Sequence, residues 1–280
     1  MRLARRLSDL VGVGGRQVNA FWYNGRLIDG EVGLSLGVGD PGLRFGATVF
    51  TTMRVYGKDL SHPLTQWVGH CDRLKNSLTH FGWSLPDWSS VREGCEHLLA
   101  HYPVLRITLF PDGREWITGR GLPADLDNLQ QQGVSAWIAP GTIARSLPTH
   151  KTGNYLACWL AKSQAQDREA AEAILVNAQG DWLETSTGNL WGWKEDRWWT
   201  PETEQCLPGL MRDWLIDTLR AEGEVVETRC WDRDLVLGFG AIAYSNCVVQ
   251  LLPIRTVLDG QTELNYDAQH ASIRALQNRI

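Results

Sequence analysis

Two runs of strand and helix signals, parted by one polar stretch, set what this chain can fold into. The stretch is "GLPADLDNLQQQG", residues 121–133. It carries proline and glycine and has weak periodicity, so it reads as a linker between two domains. Ahead of it, "VNAFWYNGRLID" predicts a hairpin turning at Asn24-Gly25. A second hairpin is predicted in "TVFTTMRVYGKDLSHPL", turning at Tyr56-Gly57-Lys58-Asp59. Trp67, Cys71, Leu74, Leu78 and Phe81 then recur at helical spacing, with Gly82 as a natural stop. A further helix in "WSSVREGCEHLLAHY" and a strand in "VLRITLF" complete this half.

After the break the pattern restarts. "VSAWIA" reads as a strand and "NYLACWLAKSQAQDREAAE" as a helix. Two hairpins follow, turning at Ala178-Gln179-Gly180 and at Lys194-Glu195-Asp196. "GLMRDWLIDTLRAEG" is a helix with Gly223 as its C-cap, and "GAIAYSN" and "VVQLLPIRTVLDG" are strands. The expected fold class is α+β. Its boundaries are a flexible extension at 1–19, a small domain at 20–122, a linker at 123–133 and a larger domain at 134–280.

The chemistry of the chain excludes several classes. A net charge of −5 with no basic block argues against a nucleic-acid partner. No apolar run is long enough to span a bilayer, and "MRLARRLSDLVGVGG" lacks the apolar segment of a secretory signal. Six scattered cysteines without CxxC spacing fit a reducing cytoplasm. The 14 tryptophans read as core and interface filling. His97 and His101 have HxxxH spacing but no third ligand nearby, so they read as helix-surface residues and no metal is expected.

Only five lysines are present: Lys58, Lys75, Lys151, Lys162 and Lys194. Lys58 and Lys194 fall in hairpin turns, Lys75 on the polar side of its helix, and Lys162 on the outer part of another. Lys151 sits between a proline-bearing turn and an apolar helix, where an amine can be desolvated and made nucleophilic. Placement alone also fits a solvated loop lysine. Other residues add weight. Glu184 ends the strand "GDWLE", where an acid can pair with a protonated ring nitrogen. Arg73 leans inward from the first amphipathic helix and suits a phosphate. "LPGLMRD" puts Gly209 at a helix start, a ready anion site, and "SNC" is a second turn able to offer N–H groups. Each alone also fits a plainer reading, Arg73 as a surface residue, Glu184 as a turn acid and Gly209 as a mere helix start; together, lysine, acid, arginine and helix N-terminus are the parts list for pyridoxal 5′-phosphate.

These residues stand in an order that resembles a known family. "NGRLID", "GDPGLRFGATVFTTMRV", "HCDRL", "HKTGNYL", "LETSTGNLW", "LPGLMRD" and "YSNCVVQLLPIRTV" resemble the landmarks of fold-type IV pyridoxal-phosphate enzymes, the class IV aminotransferase family. The resemblance runs from Phe21 to Asp259. It implies a two-domain architecture like that of D-amino-acid aminotransferase, with a small N-terminal α/β domain and a larger domain of mixed sheets. It also implies a homodimer acting on a small molecule. Lys151 would be the Schiff-base lysine and proton shuttle, Glu184 the partner of the ring nitrogen and Arg73 a phosphate ligand. Backbone groups at Leu210, Met211, Asn246 and Cys247 would complete the phosphate cup, and Tyr155 would reach the phenolic oxygen.

Within that family, "FTTMR", "SNC" and the position of Asn154 are similar to the aminodeoxychorismate lyases, which release pyruvate and form 4-aminobenzoate for folate biosynthesis. Tyr155 in "TGNYL" and the irregular "FPDGREWITGRG" depart from the lyase pattern. The alternatives are an aminotransferase for branched-chain or D-amino acids using 2-oxoglutarate, and an idle relative that only binds the cofactor. A dianionic substrate calls for cationic and polar groups, and Arg44, Thr52, Arg54 and Arg106 are the candidates.

Overall fold

The computed structural model describes residues 20–28, 30, 31 and 33–280. The extension expected at 1–19 lies outside the described residues. Two compact units emerge. Of the described residues, one takes in those up to Ala124 together with Lys151–Asn154; the other holds Asp125–His150 and Tyr155–Ile280.

The first unit carries β1 (Phe21–Tyr23), β2 (Arg26–Ile28), α1 (Pro41–Phe45), β3 (Val49–Arg54), α2 (Trp67–Phe81), α3 (Trp88–Leu99), β4 (Val104–Leu109) and β5 (Glu115–Arg120). Its five strands form an antiparallel sheet in the order β2-β1-β5-β4-β3. The first hairpin turns at Asn24 and Gly25 with φ of 48° and 75°, the doubly positive turn that suits the twist of paired strands. Alternation along β3 divides its side chains between two faces. Val49 and Met53 pack with Leu105, Ile107 and Ile117 against Leu74 and Leu78 of α2 and Val91, Cys95 and Leu98 of α3. Phe50, Thr52 and Arg54 therefore point to the opposite face.

The second expected hairpin does not form. Tyr56 and Asp59 make an isolated bridge, but no strand returns beside β3. Pro63 starts a short 3₁₀ turn instead, and β3 pairs with β4. A proline supplies no donor to a ladder, so "SHPL" is a poor partner strand. β5 and α1 go beyond the elements expected from the sequence. β5 is masked in sequence by Gly119, whose missing side chain makes room for the Tyr102 ring.

The second unit holds α4 (Leu126–Gln132), β6 (Val134–Ile138), α5 (Leu156–Gln166), β7 (Glu172–Val176), β8 (Trp182–Thr185), β9 (Asn189–Lys194), β10 (Arg197–Thr200), α6 (Leu210–Ala221), β11 (Val226–Thr228), α7 (Arg233–Leu237), β12 (Ala241–Asn246), β13 (Gln250–Asp259), β14 (Thr262–Asn265) and α8 (Ala271–Gln277). Its mixed sheet runs β11-β10-β9-β12-β13-β6-β7-β8, with β14 beside β13. Met211, Leu215 and Leu219 of α6 and Ile273 and Leu276 of α8 bury Trp191, Trp198, Ala243 and Leu251 of the sheet. Cys158, Ala161 and Ala165 of α5 pack on Trp137, Ala173 and Leu175.

Three expectations change here. The segment read as a linker at 123–133 contains α4, whose Leu126 is buried. Residues Lys151–Asn154 group with the first unit because their backbone pairs with the start of β3. The helix expected to reach Glu172 ends at Gln166, and Glu172 opens β7. No helix among the described residues is long and apolar enough to cross a membrane.

Candidate active site

Lys151 precedes α5 rather than joining it, and its backbone runs beside β3. Phe50 N–H donates to the Lys151 carbonyl at 2.8 Å, and Gly153 N–H donates to Thr48 O at 2.7 Å. Only glycine fits at 153, because a Cβ would meet Thr48 Oγ1 at 2.1 Å and Gly46 O at 2.8 Å. The Lys151 backbone is thus clamped, and the adjustable part is its half-buried side chain. Its Nζ lies 4.8 Å from the centroid of the Phe50 ring, a cation–π distance.

Arg73 stands half-buried on α2, one turn beyond His70. His70 is buried in the core side of α2, and its Nδ1 lies 2.5 Å from Thr51 Oγ1. Its Nε2 finds no hydrogen-bond partner among the described residues. Burial first, and then the charges of Arg73 and Lys151, lower its pKa to about 3. All three groups therefore lie within electrostatic reach of one another, and the histidine is the one that stays neutral. Helical spacing puts Cys71 on the buried face; the true buried set is His70, Leu74, Ser77 and Leu78. Rotating that face by one residue finds His70.

The candidate substrate groups divide. Thr52 of β3 stands directly opposite Arg106 of β4. The Arg106 guanidinium lies 3.6 Å from the Phe50 ring centroid, and Arg54 lies 4.7 Å from that of Tyr56. Thr52, Arg54 and Arg106 thus share the sheet face turned away from the helices, with the aromatic rings keeping both guanidinium planes in place. Arg44 is exposed on α1 and stacks on its neighbour Phe45 at 5.2 Å.

In the second unit Glu184 is only 4% exposed near the end of β8. Arg145 Nη1 donates to its Oε1 at 2.7 Å, and Leu207 N–H donates to its Oε2 at 3.1 Å. Arg145 Nη2 also donates to the His150 carbonyl at 2.9 Å. Burial pulls the Arg145 pKa down, but Glu184, Cys158 and Tyr155 together hold it above the ordinary value. Arg145 carries no signal in the sequence, because it stands in an irregular segment without periodicity.

The Tyr155 hydroxyl donates to Ser186 O at 2.8 Å. Burial, with Cys158 and Glu184 adding to it against Arg145, pushes its pKa well above the ordinary tyrosine value. It is therefore a hydroxyl donor, committed to the turn that follows β8. Asn246 spends its side chain in the same way. Its Oδ1 accepts from Val248 N–H at 2.9 Å and Val249 N–H at 3.0 Å, and its Nδ2 donates to Thr187 O at 3.2 Å. The Asn246 side chain is thus committed within its own turn and to Thr187. Leu210 and Met211 form the first turn of α6, whose N-cap Gly209 makes no side-chain cap. A Cβ at Gly209 would meet Asn189 Oδ1 at 1.9 Å, so this helix start stays bare.

A family model described as amino-transferase class IV matches residues 48–257. The aminodeoxychorismate lyase of Vibrio harveyi is 24% identical over 266 residues, covering 88% of this chain and 94% of the relative. The solved branched-chain amino acid aminotransferase of Escherichia coli superposes with a TM-score of 0.78 at 21% identity, covering 94% of this chain and 93% of that one. The 4-amino-4-deoxychorismate lyase of Pseudomonas aeruginosa gives 0.75 at 21% identity, covering 92% and 97%. The α+β architecture expected from the sequence is the fold of these structures.

Proposed function

The chain belongs to the amino-transferase class IV family, which works with pyridoxal 5′-phosphate, and on that premise we propose that it is a 4-amino-4-deoxychorismate lyase. The residues present fit the cofactor. The first unit supplies the Lys151 amine and the Arg73 guanidinium; the second supplies a buried acceptor in Glu184 and a helix start without a side-chain cap at α6. Bound, the cofactor supplies an electron sink for the carbon that gives up its proton.

The chain's own residues divide the work. Lys151 would hold the cofactor through its amine, and its Nζ would take the proton from the amine-bearing carbon. Glu184 would hold the ring nitrogen, and Arg145 Nη1 fixes its carboxylate at 2.7 Å. Arg73 would offer its guanidinium to the phosphate, and the second unit would offer backbone N–H groups at Leu210, Met211, Asn246 and Cys247. Loss of that proton and cleavage of the ring carbon–oxygen bond would release enolpyruvate, which takes a proton back to become pyruvate. The ring left behind becomes aromatic 4-aminobenzoate. No oxidant or amino acceptor is consumed.

The observation that carries the substrate assignment is the paired face of β3 and β4. Two arginines and Thr52 stand together there, held by Phe50 and Tyr56, and aminodeoxychorismate brings two carboxylates. Similarity to the Vibrio harveyi lyase supports the same reading. The test is to supply aminodeoxychorismate without any keto acid and follow 4-aminobenzoate. The second reading is an aminotransferase for branched-chain or D-amino acids, supported by the likeness to the branched-chain aminotransferase structure. It requires turnover only with an amino donor and 2-oxoglutarate.

A further inference from the structure

Glu172 is a carboxylate with 0% exposure that plays no part in the chemistry above. Four donors converge on it. Ser186 Oγ donates to its Oε1, Thr187 Oγ1 and Lys162 Nζ (3.1 Å) donate to its Oε2, and Ala173 N–H donates to Oε1 at 3.0 Å. Lys162, read from the sequence as an outer-face residue, is thus drawn inward to this group.

The two hydroxyls belong to the turn directly after Glu184, and that turn carries more than its own backbone. Ser186 O accepts from the Tyr155 hydroxyl at 2.8 Å. Thr187 O accepts from Asn246 Nδ2 at 3.2 Å. Ser186 N–H donates to Ala173 O at 2.8 Å, so the turn is fastened to β7 by backbone as well. Ser186 and Thr187 each give a hydroxyl to Glu172 and offer a carbonyl to a residue assigned to the cofactor. One carboxylate therefore sets the turn that joins Glu184, Tyr155 and the Asn246–Cys247 turn. A neutral amide in its place would turn an NH₂ group toward two donors, and a buried polar cluster tolerates such a mismatch poorly.

We propose that Glu172 is the positioning residue of the cofactor site, fixing the Ser186–Thr187 turn so that Tyr155 and Asn246 stay in register with Glu184. The inference rests on the cofactor assignments above. It identifies a residue that touches neither cofactor nor substrate.

The experiment uses full-length protein as Glu172→Gln and, because that variant can fail to fold, also as Thr187→Val. Three quantities are read: the Tm of the cofactor-free protein, the Kd for pyridoxal phosphate, and the pH at which the visible cofactor band changes form. The expected result is a Kd at least tenfold weaker in Glu172→Gln, a displaced band titration, and smaller changes in the same direction in Thr187→Val. A residue that merely holds the sheet together would lower Tm and leave Kd and the band titration within twofold of wild type, which overturns the proposal. Failure of the underlying reading looks different: wild-type protein itself would show no band that depends on Lys151.

Discussion

Lowering the pH from 7 to 5 should cost the folded protein about 2 kcal/mol through His70 alone. The sign follows from where the proton goes. In the unfolded chain the imidazole has its ordinary value of 6.5, and in the folded chain burial, Arg73 and Lys151 hold it at about 3. Between those values the unfolded state binds a proton that the folded state refuses, so stability present above 6.5 is lost as the pH falls toward 3. The full slope is about 1.4 kcal/mol per pH unit, and integrating the unfolded titration from pH 7 to 5 leaves about 2. Denaturant unfolding of the cofactor-free protein at both pH values, for wild type and His70→Gln, isolates this contribution because glutamine does not titrate. Carbon-13 labelling of the seven histidines reads the same quantity directly, as one ring that stays neutral down to pH 4 or below. Parallel pH profiles for the two proteins, or seven rings all titrating near 6.5, would refute the reasoning.

Other perturbations test the remaining assignments. Glu184→Ala leaves Arg145 charged, buried and uncompensated, so it should destabilise the second unit by about 3–5 kcal/mol and weaken cofactor binding; Glu184→Gln should bind better than Glu184→Ala but turn over slowly. Arg106→Ala should raise KM for a dianionic substrate by roughly tenfold with a smaller change in kcat, since it removes a charge-assisted contact worth about 1.5–3 kcal/mol. Gly188→Ala should lower Tm, because its Cβ would stand 2.3 Å from Ser245 O, and overpacking of this kind costs about 1–3 kcal/mol. Normal stability of the last variant would show that the 186–188 turn is looser than described.

Several parts of this molecule are readable from local pattern alone. Asn24-Gly25, the helix of "GLMRDWLIDTLRAEG" and both hairpins of the second half follow from turn chemistry and periodicity, and the structure has them. β3 resisted, because a strand's partner is set by non-local pairing: "TTMRV" bonds to "VLRIT" and not to its sequence neighbour. α4 hid in a polar segment because only Leu126 of it is buried. The site shows the same division. Lys151, Arg73 and Glu184 stand out by residue type and by resemblance. Arg145, Glu172 and His70 act through partners 39, 14 and 19 positions away in sequence, which no periodicity announces.

The most direct test of the central claim is a single incubation. Purified protein loaded with pyridoxal phosphate is given enzymatically made aminodeoxychorismate with no keto acid present, beside a Lys151→Ala control. Stoichiometric release of 4-aminobenzoate and pyruvate by the wild type, with no visible cofactor band and no product in the control, is the predicted result. No 4-aminobenzoate, with glutamate formed instead when an amino donor and 2-oxoglutarate are added, would contradict it.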